Sequence, residues 1–287
     1  MNVRKAVIPV AGFGTRFLPA TKATPKEMFP VVDKPLAQYV VEEAVAAGIE
    51  EIIFVTGQAK RAIEDHFDRN FELEYLLESK GKHEQLKVIR DISEMVQFAY
   101  VRQKEMRGLG HAILQARNLV GDEPFAVILP DNLFCGKTPA IADLITAYQE
   151  VQAPVCAVKE VPEDQVHHYG IIAGEEVKPG LWRMTDTIEK PSVKEAPSRQ
   201  AAIGRYILFP EIFETIEQLP EGKGGEIQLN DAIREIARMR PVYAATVSAE
   251  FHDAGDKLGY LKAITEFALS RDDLKVEYER YLREKLK

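Results

Sequence analysis

VIPVAGFGTRFLPATKATPKEMFPVVDKP, residues 7–35, passes from an apolar run into a glycine loop and then into a cationic segment. Val7, Ile8 and Val10 predict a buried strand. At Gly12 and Gly14 the backbone N–H groups can turn toward an anion with no side chain in the way. Thr15 adds a hydroxyl, and Arg16 adds a planar fork suited to phosphate oxygens. Lys22, Lys26 and Lys34 follow within a short distance and are expected to converge with Arg16. Lys26 stands between Pro25 and Pro30, which stiffens the segment that carries it. A strand end, a glycine loop and several cations describe a place to hold a polyphosphate. The glycine spacing alone is weak evidence, and a strand-to-loop turn with solvated lysines would read the same. No Gly-Lys-Ser/Thr follows, so this is not a P-loop. A third glycine and an immediate helix are missing, so it is not the dinucleotide fingerprint.

Outward from this stretch, the bulk properties set bounds. The chain has 287 residues, 46% apolar and 29% charged. That suits a soluble globular protein with one large domain or slightly more. The net charge of −8 argues against a nucleic-acid partner, which needs a basic surface. Cys135 and Cys156 form no C-x-x-C and have no metal-ligand spacing with His, so two unpaired thiols in a reducing compartment are expected. MNVRKAVIPV enters a strand at once, which leaves no room for a signal peptide. No apolar run reaches membrane-spanning length. The expectation is a cytoplasmic protein with no membrane partner.

The first half alternates strand and helix. Strands are predicted over 3–10, 51–56, 98–102 and 125–129, and helices over 36–47, 58–67 and 110–119. The near-continuous apolar strands imply a parallel sheet covered on both faces. Residues 68–95 are more polar and helical, an insertion at the sheet's rim. After a helix at 138–151 and a strand at 154–158, short runs at 169–173, 181–188 and 201–209 predict mixed strands that extend the sheet. Further on, a helix at 227–238, a strand at 242–247 and a helix at 257–270 are expected. The tail, 272–287, is a charged helix with Leu274, Tyr278, Tyr281 and Leu282 on one stripe, either docked on the body or paired with another subunit. The fold class expected is α/β: Rossmann-like, with a mixed, mostly parallel central sheet flanked by helices.

Four places carry candidate chemistry. Asp131 follows the apolar FAVILP at a strand's carboxyl end, where open α/β sheets bind ligands. A carboxylate there can hold a divalent cation on phosphate oxygens, although Asp in LPDN also makes an ordinary turn. Asp253, in FHDAGDKLGYL, is a second carboxylate or a turn residue. Asp256 beside it reads as a helix N-cap. In Glu189–Lys190 a carboxylate can accept from two vicinal hydroxyls while the lysine holds a phosphate. Gln103 lies in RQKEMRGLGHA, locally an ordinary loop, and its amide offers a donor beside an acceptor. His111 opens a helix and reads as structural. His167 and His168 are adjacent in a segment taken as extended, so they should face opposite ways and not chelate a metal together.

The full string at 7–35 resembles the signature of the sugar-nucleotidyltransferases, G-x-G-T-R followed by P-K-x-M/L-x-P-V-x-x-K-P. It is most similar to the uridylyltransferase branch, in which G-x-G-T-R-F-L-P-A-T-K-A-x-P-K-E-M-x-P-V-V-D-K-P recurs. The resemblance extends to Q-x-x-x-x-G-L-G-H-A around Gln103, to Glu189–Lys190–Pro191, and to GGEIQLNDAI at 224–233. It implies nucleotide contacts at Ala11, Gly12, Gly14, Thr15, Gln103 and Gly108. It implies sugar-phosphate contacts at Gly170, Glu189, Lys190 and Gly204. Arg16, Lys26, Asp131 and Lys190 would be catalytic, and Asp131 with Asp253 would bind Mg²⁺. The second residue of the branch's usual Asp-Asp pair is here Asn132, which keeps an acceptor and loses the charge. Glu226 reads as ordering a loop. The implied reaction takes UTP and glucose 1-phosphate to UDP-glucose and pyrophosphate. The implied organisation is one nucleotidyltransferase domain, 1–271, with a helical insertion at 68–97 and a sugar-binding part at 160–225. A C-terminal helix, 272–287, would offer a contact in a homo-oligomer, a dimer or tetramer. Two rivals stand beside this: a sister enzyme using dTTP or another sugar, and a catalytically silent binder of nucleotide sugars.

Overall fold

The computed structural model describes residues 2–286, so Met1 and Lys287, the ends of the expected domain and of the expected terminal helix, lie outside the described residues. Thirteen strands are present among them. They are β1 (Lys5–Pro9), β2 (Pro30–Val31), β3 (Lys34–Pro35), β4 (Glu51–Thr56), β5 (Gln97–Arg102), β6 (Phe125–Ile128) and β7 (Asn132–Cys135), then β8 (Val155–Glu160), β9 (Gly170–Lys178), β10 (Leu181–Glu189), β11 (Gln200–Leu208), β12 (Tyr243–Thr246) and β13 (Glu250–Asp253). Nine of them form one sheet in the order β5-β4-β1-β6-β11-β8-β12-β10-β9. The first four pair in parallel. β11 then runs antiparallel to both β6 and β8, β12 is parallel to β8, and β10 and β9 close that side antiparallel. The sheet is thus parallel where strands alternate with helices and mixed where short apolar runs succeed one another.

Alternation along the strands sends side chains to two cores. Ile8, Ile52 and Phe54 belong to one, and Val7, Ile53 and Val55 to the other, as a period of two requires. The helices are α1 (Leu36–Ala46), α2 (Arg61–Phe67), α3 (Phe71–Ser79), α4 (His83–Ser93), α5 (Leu109–Leu114), α6 (Arg117–Val120), α7 (Ala140–Val151), α8 (Glu211–Gln218), α9 (Leu229–Met239), α10 (Lys257–Ser270) and α11 (Lys275–Lys285). Val40, Val41, Leu144 and Ala263 of α1, α7 and α10 cover the first core. Ile113, Phe213 and Ile233 of α5, α8 and α9 cover the second.

Several expected boundaries shift. The helix predicted from Gln58 starts at Arg61, because Ala59 has φ +63° and Lys60 turns inward. The single helix predicted over 110–119 is two, since Gln115 and Ala116 donate only three residues back, to Ala112 and Ile113. β7 and β13 were not foreseen as strands. They pair with each other, away from the main sheet. α3 and α4 pack as a hairpin in which the buried Glu74 accepts from Arg69 at 2.7 and 3.0 Å and from Arg90 at 2.9 Å. α11 lies on α10, where Tyr278 meets Thr265 through their hydroxyls at 3.4 Å, while Tyr281 of the same stripe is exposed. No described helix is long and apolar enough to cross a membrane.

Candidate active site

The loop after β1 turns at Gly14, φ +63°, into a 3₁₀ turn over Thr15–Phe17. Phe17 is buried and meets Phe29 and Tyr260 edge-on at 5.3 and 5.7 Å. This anchor fixes the turn while Arg16 beside it lines two cavities. Lys26 begins a further 3₁₀ turn, Lys26–Met28, between the two prolines and donates to Asp131 Oδ2 at 2.5 Å. Burial pushes the Lys26 ammonium down, but the carboxylates of Asp131 and Glu27 outweigh it, so its pKa stands above the ordinary lysine value. Glu27 is itself buried and accepts on Oε2 from Lys60 Nζ at 2.7 Å, while its Oε1 has no partner. The expected convergence of four cations is therefore two. Lys34 is turned onto Glu42 at 2.9 Å, and Lys22, like Lys34, lines neither of the cavities described next.

The β7–β13 ribbon is what gathers the two carboxylates. Its register sets Asp253 opposite Asn132, and Ala254 N–H donates to the Asp131 carbonyl at 2.7 Å. A Cβ built on Gly255 would lie 2.8 Å from Asp253 Oδ1 and 3.4 Å from Asp131 Oδ2. Burial, then the Asp131 charge, pushes the Asp253 carboxyl up, against hydrogen bonds from Gly255 N–H and the Tyr169 hydroxyl. Burial acts on Asp131 in the same direction, but Lys26 and the hydrogen bonds it receives bring it below the usual range. Two adjacent carboxylates that oppose each other's ionisation suit a hard divalent cation that brings water and phosphate oxygens as its other ligands. No group of three or more His, Cys, Asp or Glu side chains placed to hold a metal occurs among the described residues.

Two cavities meet at Asp131. One, of about 280 Å³, is lined by Ala11, Gly12, Lys26, Gln103, Gly108 and Asp131 among others. Gly14 and Thr15 do not line it. They lie in the turn that leads to Arg16. Gln103 is 3% exposed, and its Nε2 reaches Gly108 O at 3.2 Å and His111 Nδ1 at 3.0 Å. The amide hydrogens thus hold the loop, and the carbonyl alone is available to a donor, where the sequence had suggested both halves of the amide. Gly108, φ +96°, has no room for a Cβ because Glu226 and Ile227 press on it.

The other cavity, of about 250 Å³, is lined by Arg16, Asp131, Gly170, Glu189, Lys190 and Asp253 among others. Glu189 accepts from Asn230 Nδ2 at 2.5 Å and stands 3.2 Å from Lys190 Nζ. Gly204 does not line this cavity and sits behind Asn132, which does. Glu226 borders both cavities and accepts from Gln228 Nε2 at 3.1 Å.

His167 and His168 correct an expectation. They end a 3₁₀ turn, Glu163–His168, and their rings lie 4.0 Å apart instead of on opposite faces. Asn230, Tyr169, Lys60 and Arg205 were not singled out from the sequence. For Arg205 a signal existed: it is the one charge in the apolar run 201–209.

Residues 5–269 match the family model described as Nucleotidyl transferase. The chain is 49% identical to UTP–glucose-1-phosphate uridylyltransferase 1 of Staphylococcus saprophyticus over 283 residues, 99% of each. It resembles the UTP-bound UGPase from Acinetobacter baumannii, with TM-score 0.90, 44% identity, and coverage of 98% of this chain and 99% of that one. A crystal structure of UDP-glucose pyrophosphorylase complexed with UDP-glucose matches with TM-score 0.87 and 44% identity, over 94% of this chain and all of that one.

Proposed function

Because the chain belongs to the nucleotidyl transferase family, we propose that it transfers UMP from UTP to α-D-glucose 1-phosphate, giving UDP-glucose and pyrophosphate. The observation that carries this reading is the meeting of the two cavities at Asp131, one beside the glycine loop and Gln103, the other beside Glu189 and Lys190. The relatives' names and bound ligands supply the substrates.

A phosphate oxygen of glucose 1-phosphate attacks the α-phosphorus of UTP in line. The new P–O bond forms as the bond to the β-phosphate oxygen breaks, and pyrophosphate leaves. The nucleophile is already anionic, so positioning and charge neutralisation suffice and no general base is needed. Lys26, kept charged, faces the nucleotide's phosphates. Arg16 neutralises the departing pyrophosphate. Lys190 holds the sugar phosphate against the repulsion of the triphosphate, and Glu189, oriented by Asn230, accepts from sugar hydroxyls. The Gln103 carbonyl accepts from the uracil N–H. The family uses a divalent metal, and we assign Mg²⁺ to Asp131 and Asp253, where it would neutralise charge on phosphate oxygens. A cytoplasmic setting and a dimer or tetramer belong to the same proposal.

The test is pyrophosphate release with glucose 1-phosphate, Mg²⁺ and each nucleoside triphosphate in turn. Release mainly with UTP, reduced by roughly a hundredfold or more in Asp131→Ala, is the expected result. Preference for dTTP would move the chain to the sister activity. Tight UDP-glucose binding without release would make it a silent binder.

A further inference from the structure

β11 is buried along almost its whole length, yet it carries a guanidinium. Arg205 is 0% exposed. A charge so placed is costly unless each donor is paired. All five N–H groups are. Nε and Nη2 donate to the two oxygens of Glu43 at 2.9 and 2.7 Å. Nη2 also donates to Asn132 O at 2.7 Å. Nη1 donates to Leu129 O at 3.1 Å and to Gly204 O at 3.0 Å. The guanidinium lies over the Phe134 ring, 4.6 Å from its centroid.

Those carbonyls are not arbitrary. Leu129 and Asn132 are the two ends of the turn that presents Asp131, and one side chain holds both. The turn is tied to β11 a second time, since Leu129 N–H also donates to Gly204 O at 2.9 Å. Gly204, φ +72°, lies so close to Asn132 Oδ1 that a Cβ there would overlap it. Glu43, on α1, accepts in addition from Ile141 N–H at 3.0 Å, so the guanidinium is itself fixed against α1 and α7.

We propose that Arg205, clamped by Glu43, is a positioning residue that sets where the Asp131 carboxylate stands relative to Asp253 and Lys26, and thereby sets metal affinity. The inference rests on the reading of Asp131 as a metal-binding carboxylate. Lysine cannot replace this arginine, because one ammonium cannot span a bidentate carboxylate and three carbonyls at once.

The test uses the full chain carrying Arg205→Lys or Glu43→Gln, with Mn²⁺ as the probe. Free Mn²⁺ is titrated by electron paramagnetic resonance, Tm is recorded for each variant, and turnover is followed against Mg²⁺ concentration. Arg205→Lys should weaken Mn²⁺ binding by about ten- to a hundredfold and raise the Mg²⁺ concentration for half-maximal turnover, with KM for UTP at saturating Mg²⁺ little changed. Glu43→Gln should shift both in the same direction by less. Folded variants with a lower Tm and wild-type Mn²⁺ binding would overturn the proposal and reduce the pair to a packing role. If Arg205→Lys does not fold, Glu43→Gln decides by the same readout. Mn²⁺ binding that Asp131→Asn leaves unchanged would instead refute the metal reading of Asp131, and this inference with it.

Discussion

At Gly170 the amide of Asn230 occupies the space that a Cβ would need. The same amide donates to Glu189, so a substitution at 170 is felt by the carboxylate proposed to face the sugar. Gly170→Ala should raise KM for glucose 1-phosphate with KM for UTP unchanged, and should cost about 1–3 kcal/mol in urea unfolding. In an Asn230→Ala background the same change should cost less, with a coupling of roughly 0.5–3 kcal/mol. Additive effects would mean that the two residues do not share the space. Such pairings are what the sequence conceals. Asp131, Glu189 and Lys190 were legible because each ends or follows an apolar strand and carries chemistry suited to phosphate or sugar. Asn230 and Tyr169 act through a neighbour far along the chain, and no local pattern marks that. Arg205 was hidden for the opposite reason. One charge among apolar residues does not disturb a strand's pattern, and only the five acceptors around it show its part.

Among the elements, the long apolar strands and the helices with clear periodicity stand where the residues placed them. The β7–β13 ribbon does not announce itself. Each strand has four residues, and a pairing between segments so distant in sequence leaves no periodic trace. The α3–α4 hairpin offers a pH test. Hydrogen bonds from Arg69 and Arg90, then their charges, hold the Glu74 carboxyl at about 2, against about 4.3 for an unfolded glutamate. Between these values the opened hairpin binds more protons than the closed one. Its stability is therefore fully present above about pH 4.5 and falls as pH drops toward 2. Amide protection factors in 71–93 should decline over that range in the native chain and decline less in Glu74→Gln. The same decline in both would show that the two arginines contribute nothing there.

For the whole molecule, the sheet separates two cores whose loss is not equivalent to losing the tail. Phe213 is fully buried and stacks on Phe125 at 5.2 Å. Phe213→Ala should cost about 3–5 kcal/mol, seen as a large fall in Tm. α11, by contrast, buries no residue fully. Ending the chain at Arg271 keeps that residue's pair with Asp33 at 2.5 Å and should leave pyrophosphate release unchanged. Light scattering on the truncated chain then tells whether the exposed Val276 and Tyr281 serve self-association: fewer subunits per particle than in the full chain would assign them to it, and an unchanged number would exclude it.

The ribbon that joins Asp131 to Asp253 has a consequence for synthesis. A nascent chain reaches Lys26, Gln103, Asp131 and Glu189 well before β13 leaves the ribosome. Until then β7 has no partner strand, and closing so long a loop comes late. A chain ended before β13 therefore holds the residues that line the cavity beside Gln103 but lacks the second carboxylate. On the proposed reading of Asp253, products of translation interrupted before β13 should turn over no triphosphate, so the register of one short ribbon couples turnover to synthesis of the chain through Asp253.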